Sequence, residues 1–261
     1  PDLGETMTGV YFNVGNGDVL QAYANSSGAP RFRVNQTWLG VPTSAANPDT
    51  EGWTFYAYTY NSEVSQGEVV THLYVGKYDE QSESYVLNED TLDSRKTTNA
   101  GPTSLDAYLL IGSRSPTGHN WGTDGMIDEF RFYGSETDDS AALNFSEIEA
   151  ILESDIEQPA TSEPIVYLPF DEDWKTQGQV SGIEASVVTA GGSTPEFGPG
   201  VSNKCYDIRT ATDNYVPTGC LYYEGGVETA LDELKSLSIS FWVNPDGILT
   251  DGYPLSEAHI L

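Results

Sequence analysis

Apolar and β-branched residues recur at every second position along much of this chain, and no other feature constrains the fold as tightly. Val10-Tyr-Phe-Asn-Val14, Arg31-Phe-Arg-Val34, Thr54-Phe-Tyr-Ala-Tyr-Thr-Tyr60 and Val69-Val-Thr-His-Leu-Tyr-Val75 all read this way. So do Met126-Ile-Asp-Glu-Phe-Arg-Phe-Tyr133, Ile165-Val-Tyr-Leu-Pro-Phe170 and Leu237-Ser-Ile-Ser-Phe-Trp-Val243. A period of two sends successive side chains to opposite faces of a strand. Turn clusters such as Gly15-Asn-Gly-Asp18 and Gly225-Gly226 separate the runs. Short strands between turn signals predict an all-β fold, an antiparallel two-sheet sandwich. One short helix is expected near 140–152, where Ala142, Phe145, Ile148, Ile151 and Leu152 fall at helical spacing and Ser146 with Glu147 opens it. A further helical turn is expected within 228–235.

Charge narrows the function classes. The 261 residues include 11 Lys and Arg against 40 Asp and Glu, for a net charge of −29. Phosphate contacts need clustered Lys and Arg, so nucleic acid and anionic membrane surfaces are excluded as electrostatic partners. No run approaches the ~20 apolar residues of a membrane-spanning helix, so no membrane insertion is expected. With 16 Tyr, 9 Phe and 5 Trp the chain has the means to bury a core, unlike a disordered acidic tail. The absent initiator Met and signal segment read as a mature product or an excised piece. Residues 153–164 are acidic, Pro-bearing and poor in apolar residues, and read as a linker between 1–152 and 165–261.

Two segments carry a family resemblance. Gly125-Met-Ile-Asp-Glu-Phe-Arg-Phe-Tyr133, followed by Ala142-Leu-Asn-Phe-Ser-Glu-Ile148, resembles the end of laminin G-like, concanavalin A-like jelly rolls. Residues 53–60, Leu73-Tyr-Val-Gly-Lys77 and Leu110-Ile-Gly-Ser113 resemble its middle strands, in the expected order. Tyr167-Leu-Pro-Phe-Asp171, Phe197-Gly-Pro-Gly200 and Leu237-Ser-Ile-Ser-Phe-Trp-Val243 resemble its opening strands. The resemblance implies a jelly roll whose closing strands precede its opening ones. Joining Leu261 to Pro1 in imagination restores the family order. Three arrangements follow: one permuted domain, a piece cut across adjacent repeats, or a head-to-tail polymer in which each chain completes the next by strand donation.

The resemblance also implies a structural Ca²⁺, held in laminarinase-type relatives between the last strand and the first. The matching positions are Asp128, Asp171 and Asp173, oxygen donors of the kind Ca²⁺ requires. The alternative is that these acids cap turns or face solvent. The Glu-x-Asp-x-x-Glu strand of the family's glycan hydrolases is missing, so no catalytic residues are assigned and a non-enzyme is expected. His72, His119 and His259 stand apart, with no metal-ligand spacing.

Sugars present apolar C–H faces and paired hydroxyls, matched by aromatic rings beside planar polar groups. The loop Ser115-Pro-Thr-Gly-His-Asn-Trp-Gly-Thr-Asp124 has that composition. His119, Asn120, Trp121, Asp124 and Tyr253 are therefore carbohydrate-binding candidates, weighed against burial of Trp121 as core. Cys205 and Cys220 flank a hairpin-like excursion, and a disulfide between them is expected in an extracellular setting, worth roughly 3 kcal/mol for a loop of about 15 residues. Asn25, Asn35 and Asn144 begin N-glycosylation patterns. The expected function is a non-catalytic extracellular structural or adhesive module of a surface or matrix protein, partnered by copies of itself or adjacent repeats. The alternatives are a Ca²⁺-dependent lectin-like module that binds glycans, and a glycan-active hydrolase.

Overall fold

The computed structural model describes residues 7–15, 20–25, 28–34, 37–38, 42, 44–49, 52–65, 67–90, 108–114, 125–157, 163–189, 194–207, 219–231 and 234–245. The strands are β1 (Met7–Val14), β2 (Leu20–Asn25), β3 (Pro30–Val34), β4 (Thr37–Trp38), β5 (Thr54–Asn61), β6 (Thr71–Asp79), β7 (Ser84–Asp90), β8 (Leu109–Ile111) and β9 (Gly125–Ser135). Helix α1 (Phe145–Glu157) follows, then β10 (Val166–Leu168), β11 (Ser186–Val188), β12 (Glu196–Pro199), β13 (Lys204–Asp207) and β14 (Cys220–Tyr223). A single helical turn, α2 (Val227–Ala230), precedes β15 (Ser236–Pro245).

These strands form the two antiparallel sheets that the alternation predicted. Sheet A runs β11-β14-β8-β1-β2-β3-β4, and sheet B runs β12-β13-β9-β15-β5-β6-β7 with β10 also pairing with β9. Strands from before and after residue 158 interleave in both sheets. β15 lies between β9 and β5, with Ile239 opposite Phe132 on one side and Tyr58 on the other. β10 pairs with β9 through Val166↔Phe132, Tyr167↔Arg131 and Leu168↔Phe130. Both sheets are thus completed within a single chain.

The alternation explains the layers. On β15, Leu237, Ile239, Phe241 and Val243 enter the core between the sheets, where Phe12, Phe32, Tyr56, Tyr58, Leu221 and Tyr223 meet them. Trp242 turns to the outer face of sheet B and packs with Phe55, Tyr74 and Leu87 beneath Ile148, Ile151 and Leu152 of α1. Helix α1 therefore forms a partial third layer. Its N-terminus is closed by a capping box. Asn144 Oδ1 accepts the N–H groups of Ser146 and Glu147, and Glu147 Oε2 accepts that of Asn144. Ser236 and Ser238 of β15 bond to the backbone of 138–143, fixing the approach to the helix. Gly76 lies under α1, where any Cβ would collide with Leu152 Cδ1.

Two sequence expectations need correction here. The helix does not stop at 152: it runs to Glu157, so the first five residues assigned to the linker are helical. The reason is Asp155, which is buried against sheet B rather than solvated. The cysteines are thiols and not a disulfide. Cys205 lies on β13 of sheet B and Cys220 on β14 of sheet A. Tyr206 spans the gap between them and donates its hydroxyl hydrogen to Gly219 O at 3.3 Å. Cys205 directs its Sγ at Pro199 O of its own hairpin at 3.5 Å, within sheet B, and not towards β14.

Candidate functional site

Strand β9 organises the polar chemistry. Its register against β15 slips between Ser240 and Trp242, and Glu129 adopts a positive φ of 51°. This bulge re-aims the side chains of Asp128 and Glu129, while Phe130 still enters the core and Arg131 leaves on the opposite face. Arg131 projects beneath α1, where its guanidinium pairs with Asp155 Oδ1 and, at 2.8 Å, with Glu129 Oε2. Tyr167 of β10 lies 4.3 Å below the guanidinium and donates to Glu129 Oε2 at 2.6 Å. Trp242 Nε1 donates to Asp155 Oδ2 at 2.8 Å. Burial pushes the Asp155 carboxyl up to about 7, against the lowering pull of Arg131. Burial alone would lower Arg131, but Asp155 and Glu129 outweigh it and hold the guanidinium charged. The cluster is closed: the Arg131 and Glu129 side chains are 6% and 5% exposed. It joins helix, strand and sheet, with each of its charged side chains buried.

Asp128, a predicted Ca²⁺ ligand, points the other way. Its Oδ1 accepts the Glu129 N–H at 2.9 Å and its Oδ2 the Val201 N–H at 2.7 Å. Burial pushes its carboxyl up to about 8, and the neighbouring charges of Glu129 and Asp171 add to the rise. Asp171 and Asp173 lie in an open cleft of about 490 Å³, lined also by Pro169, Glu172, Gln177, Asn203 and Lys204. Asp171 accepts the Lys204 N–H at 3.3 Å, which ties the 169–173 loop to β13. Asp173 accepts the Lys175 N–H at 3.0 Å. The structure therefore brings Asp171 and Asp173 to one cleft, whereas Asp128 is turned to the backbone beside it. Among the described residues, no group of three or more His, Cys, Asp or Glu is placed to hold a metal ion. The oxygen donors of the cleft suit Ca²⁺ in kind, since carboxylates and carboxamides are its usual ligands.

Beside the cleft stands an aromatic pair that the sequence reading missed. Trp174 stacks face to face on Phe197 of β12, with ring centres 3.9 Å apart and planes 8° apart. Lys204 links pair and cleft, because it lines the cleft and its Nζ lies 5.3 Å above the Phe197 ring. Phe170 and Tyr206 support Trp174 from the core. The five carbohydrate candidates, His119, Asn120, Trp121, Asp124 and Tyr253, lie outside the described residues, as does the Asn35 glycosylation pattern. Asn25 is buried and holds the Ala29 N–H, whereas Asn144 is exposed at the helix cap.

Comparison with known proteins returns no matching family model, no significant match among curated proteins and none among solved structures. Among the described residues, no helix is long and apolar enough to cross a membrane.

Proposed function

We propose that the chain is a non-catalytic adhesive module of a cell-surface or matrix protein, a laminin G-like, concanavalin A-like jelly roll that recognises a glycan at the 169–204 cleft. The observation that carries this reading is the pairing of planar polar side chains with an aromatic surface. Asp171, Glu172, Asp173, Gln177 and Asn203 offer carboxylate and carboxamide partners for hydroxyls. Phe197, 38% exposed beside Trp174, offers an apolar ring edge for C–H groups. Ca²⁺ is the cofactor of the reading, bound through Asp171 and Asp173, where it would neutralise the cleft's acids and take sugar hydroxyls as further oxygen ligands. The non-catalytic part is supported by how the buried acids are used. Asp128, Glu129 and Asp155 commit oxygens to backbone N–H groups, Arg131, Tyr167 and Trp242. Completion of both sheets within one chain favours a self-contained module over a head-to-tail polymer built by strand donation.

Glycan-array binding of the intact chain, with and without Ca²⁺, tests the reading. Binding that falls at least tenfold in an Asn203→Ala, Lys204→Ala double variant of unchanged melting temperature is expected. Glycan binding unaffected by that variant, or none in either condition, would refute it.

A further inference from the structure

One buried guanidinium, Arg131, serves two buried carboxylates, Glu129 and Asp155, and that imbalance has a consequence for α1. Glu129 reaches Arg131 from the same strand, so its pairing is local. Asp155 comes from the helix and is the group that ties α1 to sheet B, through Arg131 on β9 and Trp242 on β15. Its side chain is 0% exposed. With both carboxylates ionised, the closed cluster holds one uncompensated negative charge away from water, which is costly unless a proton is taken up. Among the described residues, every other titratable group facing the cluster is a phenol or a further acid: Tyr133 on β9, Tyr167 on β10, Tyr85 behind Trp242 on β7, and Asp128 and Asp171 beyond Glu129. None of these described groups supplies a second positive charge.

We propose that Asp155 is a proton-dependent clamp: the folded chain holds a proton at this carboxyl that the unfolded chain releases, so the grip of α1 on sheet B tightens on acidification and loosens as the medium turns alkaline. The direction follows from linkage. The folded carboxyl sits at about 7 against an ordinary value of 3.8. The stabilising proton is fully present below the ordinary value and is lost as pH rises through the folded one. Between these limits the folding constant falls roughly tenfold per pH unit for the one proton concerned. The window for Asp155 therefore runs from above the ordinary value to neutrality; burial raises Asp128 and Glu129 as well, and comparison with the Asp155 variant removes their common contribution.

The experiment compares the intact chain with Asp155→Asn in denaturant unfolding from pH 5 to pH 8. It also follows the Asp155 carboxyl carbon of the unsubstituted protein by NMR. The expected result is a wild-type folding constant that drops with pH more steeply than that of the variant, by close to tenfold per unit at the acid end. The Asp155 carbon then titrates near neutrality, and the amides of 148–157 exchange faster relative to β15 at the alkaline end. Parallel stability profiles, or a carboxyl carbon whose titration is complete by pH 5, would overturn the clamp. If the variant does not fold, the NMR titration of the unsubstituted protein decides alone.

Discussion

Two tyrosines on one strand make opposite predictions for the same substitution. Tyr56 and Tyr58 both point from β5 into the space between the sheets, and both are fully enclosed, at 0% and 1% exposure. Burial pushes each phenol well above its ordinary pKa, so both stay neutral while the protein is folded. Tyr56 donates to Ala46 O at 2.6 Å and so anchors the short 44–46 turn. The Tyr58 hydroxyl has no hydrogen-bond partner among the described residues, although its ring stacks well on Phe32, with centres 4.7 Å apart. An unpaired buried hydroxyl costs about 1–3 kcal/mol, and a satisfied one contributes about 1 kcal/mol net. Tyr58→Phe keeps the ring and removes only the penalty, so it should stabilise the fold by about 1 kcal/mol. Tyr56→Phe loses a bond and strands a carbonyl, so it should destabilise by about 1–2 kcal/mol. At about 2–4 °C per kcal/mol for a chain of this size, the two melting temperatures should separate by roughly 5–10 °C, with the unsubstituted protein between them. Calorimetry on the three proteins measures this directly. If both variants shift in the same direction by similar amounts, the assignment of an unsatisfied phenol at Tyr58 is wrong.

Other perturbations probe separate parts of the molecule. Gly76→Ala inserts a methyl group between sheet B and Leu152, and should cost about 1–3 kcal/mol of stability by overpacking, with a double variant Gly76→Ala, Leu152→Ala recovering part of the loss. Urea midpoints check the sign, and full additivity of the two changes would argue against contact. Burial pushes the Cys220 thiol up to about 12 and Cys205 is buried with it. A thiol reagent should therefore count none in the folded protein and two after denaturation without reductant, whereas a disulfide would leave the second count at zero.

How much of this was legible beforehand depends on whether the controlling interaction is local. The Leu237-Ser-Ile-Ser-Phe-Trp-Val243 run could be read because alternation alone assigns a residue's face. Leu237, Ile239 and Phe241 do enter the core, while Ser236 and Ser238 turn outward to bond the 138–143 loop. The Trp174–Phe197 stack could not be read this way. It joins a loop to an edge strand far along the chain, and neither residue sits in a repeating pattern. The cysteine spacing misled for the same reason, since separation along the chain does not say that two strands belong to different sheets.

Asp155 is the intermediate case, and it shows what signal was available. Its position continues the stripe set by Ile148, Ile151 and Leu152, so helical geometry places it on the buried face. A reading that ends a helix where apolar residues stop treats such an acid as the first residue of a linker. Yet β9 carries an arginine at an alternate position between Phe130 and Phe132, in a strand otherwise committed to burial. A buried cation requires a partner, because the desolvation of either charge alone exceeds what a fold can absorb. Glu129, two positions earlier on the strand, provides one partner, and an acid on the buried stripe of the helix that follows provides the other. Pairing the two misfits, a charge in a strand core and a charge on a helix's apolar face, would have extended α1 by its last turn and located its docking contact from the residues alone.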